Sequence, residues 1–328
     1  MGRNDSQRAI FGQGRLCAGF KPRYTGPCDH CQFVSTAGFL MSILPSEQAA
    51  KRDRLLAILG SYGRVAVAFS GGIDSTVVAK AAQLAIGDRS VAVTAVSDSL
   101  ASGELDESEE LARLIGIRHR VIHTSEFENP DYLKNASDRC YFCKTELYTQ
   151  LEQLLPELGV DVIANGANTD DTGDWRPGMR AADEHCVRSP LIEANLNKAE
   201  VRELARHWGL PTWDKPATPC LSSRVAYGLD VTPERVAQID AAERFLRERG
   251  FRELRVRYPQ PDAARIEVPI AELPKLVEPA ARTELVQYFK SLGFKSITLD
   301  LEGFRSGSMN AALPIFQISN LKSEISNP

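Results

Sequence analysis

The stretch Ala68–Lys80, AFSGGIDSTVVAK, sets two adjacent glycines, an aspartate and hydroxyl side chains directly behind the apolar run RVAVAF. A buried strand that ends in so open a turn, with a helical pattern following at once, is built to meet an anion. Backbone N–H groups point outward at a helix N-terminus, the helix dipole is positive there, and glycine lets a phosphate come close. The spacing is neither a Walker loop nor GxGxxG. It is SGGxDS, with Ser70, Gly71, Gly72, Asp74 and Ser75 at the fixed positions.

The pattern around this turn predicts the fold. From Arg64 onward apolar strand segments (RVAVAF, SVAVTAVS, RHRVIHT, VDVIANGAN) alternate with helical ones (STVVAKAAQLAIG, ELDESEELARLIG, KTELYTQLEQLLPELG, KAEVRELARHWGL). Such a succession forms an open parallel sheet flanked by helices, with ligands outside the carboxyl ends of its strands. After the loop PTWDKPATPCLSSRVAYG the texture changes to a smaller α+β arrangement: the helix TPERVAQIDAAERFLRERG, the strands RELRVRYP and AARIEVPI, a second helix and a last strand, FKSITLDLEGF. The expected organisation is therefore an α/β domain over 46–224 and a smaller α+β domain for substrate and oligomer contacts over 225–328. Residues 1–45 are polar and without a sustained period. They are expected to be a disordered extension or the product of a start placed too far upstream, since Met41 opens a plausible start of its own.

Length and charge remove several classes. The 328 residues suffice for two domains, and 39 Lys and Arg against 43 Asp and Glu give a net charge of −4, an unlikely balance for a protein living on a polyanion. The longest early apolar run, GFLMSIL, is too short to span a membrane, so a cytoplasmic location is expected. Seven cysteines in such a chain suggest metal or redox chemistry rather than a disulfide framework. Cys140 and Cys143 stand at CxxC spacing just ahead of a helix, whose N-terminus favours thiolate, and Cys220 lies in the loop KPATPCLSSR. Three thiolates hold three irons of a [4Fe–4S] cluster and leave the fourth open; the same three suit zinc with water, and the close pair suits a dithiol. Cys186 is expected to be structural, and Cys28 and Cys31 form a second CxxC with only His30 and Cys17 near them.

The SGGxDS turn resembles the PP-loop of N-type ATP pyrophosphatases, which cleave ATP between its α and β phosphates and adenylate a substrate. In that family the loop holds the departing pyrophosphate and its aspartate lies near the metal. This implies ATP and Mg²⁺ as cofactors. In the later loop NGANTDDTGDWRPGMRAA, Asp170 and Asp171 are candidates to place Mg²⁺ on the triphosphate, and Arg176 and Arg180 to meet phosphate or carboxylate. Taken with DWRPG, RSPLIEANLNKAEVRELARHWGLP, KPATPCLSSR, LRVRYP, ARIEVP and DLEGFRSGSMN, the turn makes the chain similar to the LarE family from about Met41 to about Asn310. These are ATP-dependent sulfur transferases that convert pyridinium-3,5-biscarboxylic acid mononucleotide to thiocarboxylates, the organic part of a nickel-pincer cofactor.

That resemblance implies more about single residues. One branch of the family sacrifices the sulfur of the cysteine matching Cys220; the other carries a [4Fe–4S] cluster on three cysteines, and Cys140, Cys143 and Cys220 match it. Arg224, Arg255, Arg257 and Arg305 match family positions and are candidates for the substrate's phosphate and carboxylates. Arg255 and Arg257, two apart on a strand, are expected to share a face. Glu243 and Glu267 match acids that bind a metal at a subunit interface. A sulfide or other sulfur donor and a homo-oligomer, with a hexamer as the form considered, complete the implied partners. Two other readings compete. A PP-loop enzyme of tRNA thiolation needs a basic surface, yet residues 221–328 hold 15 Lys and Arg against 14 Asp and Glu. A non-catalytic nucleotide sensor would not need Asp74 and all three cysteines.

Overall fold

The run before the glycine turn is the central strand of a parallel sheet. A computed structural model describes residues 44–172 and 177–305. A first helix, α1 (Ser46–Ser61), leads into strand β1 (Val65–Ala68) and helix α2 (Ile73–Ile86). β2 (Ser90–Val96), α3 (Glu104–Ile115) and β3 (Arg118–His123) follow. A short turn of helix, α4 (Pro130–Leu133), precedes the long α5 (Arg139–Leu158), then β4 (Val162–Ala164). The order across the sheet is β3-β2-β1-β4, with every neighbouring pair parallel. The alternating pattern thus forms the expected α/β sheet, flanked by helices. Residues 1–43, which include Cys17, Cys28, His30 and Cys31, and residues 173–176, which include Arg176, lie outside the described residues.

Burial explains the central position of β1 and α2. Val65, Ala66 and Val67 are fully buried, and so are Val77, Val78, Ala79, Ala81 and Ala82 around α2. A helix apolar on nearly all sides must be covered on nearly all sides. α2 is covered by α1 and by α8 (Lys198–His207), which comes after the short helices α6 (Pro177–Glu184) and α7 (Pro190–Glu193). α8 begins with a complete capping box: Asn197 accepts from the amide of Glu200, and Glu200 returns to the amide of Asn197.

The second sheet follows α9 (Pro233–Glu248). It consists of β5 (Arg255–Arg257), β6 (Ala263–Glu267) and β7 (Ser296–Leu299), with α10 (Leu273–Val277) and α11 (Pro279–Ser291) between the last two. β5 and β6 run antiparallel, β6 and β7 parallel. Phe245, Phe289 and Phe294 pack its core, which also takes in Ala101, Tyr132 and Leu221 from the preceding part of the chain. The two sheets are therefore joined through packed side chains.

A buried charge network crosses this core. Glu243 on α9 is fully buried; its Oε1 accepts from Arg224 Nε at 3.0 Å and the Val256 amide at 3.1 Å, and its Oε2 from Arg224 Nη2 at 3.2 Å and Arg247 Nη2 at 2.7 Å. Glu267 on β6, equally buried, accepts from Arg257 Nε at 3.0 Å and from Arg265 at 3.2 Å. The two acids expected at a metal thus face guanidinium groups within the chain. Removing one partner of a buried pair leaves an uncompensated charge, which costs more than the pair itself contributes. Glu243→Ala should therefore lower unfolding free energy by about 3–5 kcal/mol, read as a shifted urea midpoint at unchanged slope.

Candidate active site

The glycine turn closes on itself through its own hydroxyls. Ser75 Oγ accepts from the Ser70 amide at 3.2 Å and donates to the Gly72 carbonyl at 3.0 Å, which Thr76 also reaches at 2.8 Å. Gly71 has φ of +67°, which strains any other residue, and a Cβ there would stand 2.6 Å from Ser108 Oγ and force that hydroxyl to turn away. Gly166, just beyond β4, is required for a different reason: a Cβ on it would lie 2.8 Å from the Ser75 amide nitrogen. The carboxyl ends of β1 and β4 thus meet at the first turn of α2.

Asp74 faces this junction. Asn168 Nδ2 donates to its Oδ1 at 3.2 Å, and the ammonium of Lys198 donates to its Oδ2. Asp170 Oδ2 accepts from the Lys198 amide at 3.0 Å, so the two candidate acids and the first residue of α8 form one cluster. Asp171 Oδ2 accepts from the Asn168 amide in a capping box. Lys215 extends to the Gly71 carbonyl at 3.4 Å and pairs with Glu107 at 2.8 Å. Lys198, Lys215 and Asn168 were not among the residues expected from the sequence. Arg180, by contrast, lies on α6 with its guanidinium 3.8 Å over the Tyr141 ring and 3.4 Å from Glu184.

Lys215 and Cys220 lie on one short segment. Five extended residues span at most about 17 Å, which bounds how far Cys220 can stand from Lys215. Its loop docks at the carboxyl end of β2, where the Leu221 amide donates to the Ser99 carbonyl at 2.9 Å. The Cys220 carbonyl accepts from Arg224 Nη1 at 2.9 Å and from Ser223 Oγ at 2.7 Å.

The CxxC pair sits inside α5 rather than ahead of it. The helix starts at Arg139, so Cys140 and Cys143 occupy its first turn, one turn apart. The reason is tertiary: Arg139 is anchored by residues distant in sequence, which draws the helix start forward. Burial pushes the Cys143 thiol up to about 12; Lys144 opposes that shift, while Cys220, Glu126 and Cys140 add to it. Cys220 and Cys140 therefore both belong to the electrostatic surroundings of Cys143. Among the described residues no three His, Cys, Asp or Glu side chains are grouped tightly enough for a single metal ion. Thiolates around a cluster bind separate irons, a looser requirement. Cys186, expected to be structural, is exposed in the turn after α6.

The arginines divide by what already engages them. Arg224, 1% exposed, has Nε, Nη1 and Nη2 all bonded within the chain. Arg257 holds Glu267 and the Ser223 carbonyl, the latter at 3.1 Å. Arg255 is 7% exposed and, among the described residues, donates to the carbonyls of Leu254 and Ala217, at 2.7 and 2.6 Å. Burial pushes it down to about 10, and the neighbouring Arg224 adds to that shift. A buried guanidinium without a carboxylate partner is costly, and a bound anion would offset that cost. Arg305 is half-exposed and pairs with Glu302 at 2.6 Å.

Comparison with known proteins follows the same lines. Residues 58–145, which contain the glycine turn and the CxxC pair, match the asparagine synthase family model. An uncharacterized protein of Synechocystis sp. is 45% identical over 80% of this chain and 98% of its own. The pyridinium-3,5-bisthiocarboxylic acid mononucleotide synthase of Lactiplantibacillus plantarum is 39% identical over 83% of this chain and 98% of its own. The tRNA-specific 2-thiouridylase of Xanthobacter autotrophicus is 31% identical over only 47% of this chain and 49% of its own.

The environment of the thiols has a direct chemical consequence, because the thiolate is the reactive form. In metal-free protein at pH 8, iodoacetamide should label exposed Cys140 and Cys186 well before Cys143, whose labelling should rise only as pH approaches 12. Equal labelling rates in peptide mass spectra would contradict the burial described.

Proposed function

The chain belongs to the LarE family of pyridinium-3,5-bisthiocarboxylic acid mononucleotide synthases, and we propose that it is an ATP-dependent sulfurtransferase acting by adenylation. The substrate in this reading is pyridinium-3,5-biscarboxylic acid mononucleotide, and its thiocarboxylate product serves a nickel-pincer cofactor. The observation that carries the proposal is that Lys215, on the Gly71 carbonyl, and Cys220, in the electrostatic surroundings of Cys143, lie on one short segment. This supports a reading in which the phosphate turn and the sulfur chemistry share one site.

The residues divide the work in a definite way. The Gly71 amide and those at the start of α2 receive the pyrophosphate, and Lys198 and Lys215 offset its charge. Asp74 and Asp170 supply hard oxygen ligands for Mg²⁺ on the triphosphate. The substrate carboxylate attacks the α-phosphorus, and pyrophosphate leaves. The resulting mixed anhydride has AMP as its leaving group, so a sulfur nucleophile that attacks the carbonyl carbon yields thiocarboxylate and AMP. Arg255 holds the substrate's phosphate; Arg257 and Arg305 border the same sheet and can contact its carboxylates.

Cys140, Cys143 and Cys220 fit a [4Fe–4S] group. What supports this is that Cys140 and Cys220 lie in the electrostatic surroundings of Cys143, that the cations Arg139 and Lys144 share those surroundings, and that Phe142 and Cys143 pack against the apolar core. Such a group supplies a deprotonated, renewable sulfur nucleophile when bound. The family's other route consumes the Cys220 sulfur itself and converts the residue to dehydroalanine.

Pyrophosphate release from ATP should depend on the pyridinium dicarboxylate and be matched by thiocarboxylate in the product mass spectrum. Asp74→Asn should lower that release by about 10²-fold or more, as loss of a metal- or charge-stabilising group at a transferring phosphate does. Pyrophosphate release without the pyridinium substrate, or thiolated tRNA as the product, would overturn the proposal.

A further inference from the structure

Arg139 is a buried cation with an unusual set of partners. It is 4% exposed, and its Nη1 donates to Asn135 Oδ1 and to the Ser222 carbonyl, the latter at 2.7 Å. No carboxylate among the described residues pairs with it. The titratable groups facing it are the thiols of Cys220 and Cys140 and the phenols of Tyr132 and Tyr227. A guanidinium withdrawn from water needs either an acid or a bound anion to balance it. Here the balance falls to the cysteine centre.

The same side chain belongs to a network that joins two distant segments. Asn135 is fully buried at φ of +51°, and its Nδ2 donates to the carbonyls of Val225, Ala226 and Leu229 at 3.2, 2.8 and 3.0 Å. Tyr132 Oη meets Ser222 Oγ at 2.7 Å, and the Val231 amide donates to the Leu133 carbonyl at 2.9 Å. Each contact ties residues 132–139, which lead into the CxxC turn, to residues 222–231, which follow Cys220. Ser222 receives two of them and is two residues from Cys220.

We infer that Arg139, with Asn135 and Tyr132 behind it, is the positioning residue that locks the Cys220 loop to the CxxC turn. The three thiols are thereby assembled before anything binds them, and Arg139 supplies the positive charge that an anionic sulfur centre requires. This rests on the reading that the three cysteines act together, and it assigns their arrangement to a network whose hydrogen bonds do not involve the residues around Asp74.

The test uses the full chain, freed of metal with a chelator and treated with a short bismaleimide. Cross-links between the Cys140–Lys144 peptide and the peptide carrying Cys220 are then counted by mass spectrometry. Arg139→Met should lower that yield by about fivefold or more and speed amide exchange over residues 221–231, since a site loses precision when its supporting shell is removed. Affinity for Mg-ATP should stay unchanged, which a general loss of structure would not allow. Arg139→Lys should recover part of the yield. Should Arg139→Met fail to fold, Tyr132→Phe and Ser222→Ala, each removing one hydroxyl, should give smaller losses of the same kind. Wild-type cross-linking and exchange in the folded variants would overturn the inference. Failure of thiocarboxylate formation in the unaltered protein would instead overturn the proposed function and leave the cross-linking result standing.

Discussion

The buried pair of Arg224 and Glu243 is the interaction on which the rest of the site depends. Glu243 fixes one side of the Arg224 guanidinium and, through the Val256 amide, the start of β5. The other side of that guanidinium holds the Cys220 carbonyl. One ion pair therefore sets the height of the second sheet and the position of a reactive sulfur together. An exposed pair could not do this, because water and salt would screen it and its side chains would remain free. Buried, with its remaining donors and acceptors satisfied by the backbone, it acts as a rigid joint.

Around that joint the site is assembled from four strand ends and one loop. β1 delivers the glycine turn, β4 delivers Gly166 and Asn168, and β2 delivers Ser99, on which the Cys220 loop rests. β5 contributes Arg255 and Arg257 from one face. The positive charges are not alike. Arg224 and Arg257 are held by acids, while Arg255 and Arg139 have none within hydrogen-bonding distance among the described residues. In the proposed reading the first receives a substrate phosphate and the second faces an anionic sulfur centre.

Much of this was legible in the sequence, and the reason is local. Strand-helix alternation and the SGGxDS turn are properties of contiguous residues, and each predicted strand and helix of both sheets is present. Cys140, Cys143 and Cys220 could be named as a set because their type is rare and their chemistry narrow. What remained hidden depends on contacts across many residues. Nothing beside Lys198 shows that it will meet Asp74, 124 positions earlier. Asn135 and Tyr132 look like ordinary loop residues until they grip a segment 90 positions away. The start of α5 was placed too late because Arg139 is drawn into the helix by that same distant segment. Glu243 and Glu267 kept their matched positions, but in this chain their oxygens face arginines.

The central claim is that Cys140, Cys143 and Cys220 form one centre for delivering sulfur. The most direct test is anaerobic purification followed by iron and sulfide analysis and an absorption spectrum. A brown protein with about four irons per chain, lost when any one of the three cysteines becomes alanine, is the predicted result. A colourless protein after anaerobic reconstitution, with Cys140→Ala and Cys143→Ala still forming thiocarboxylate, would contradict it.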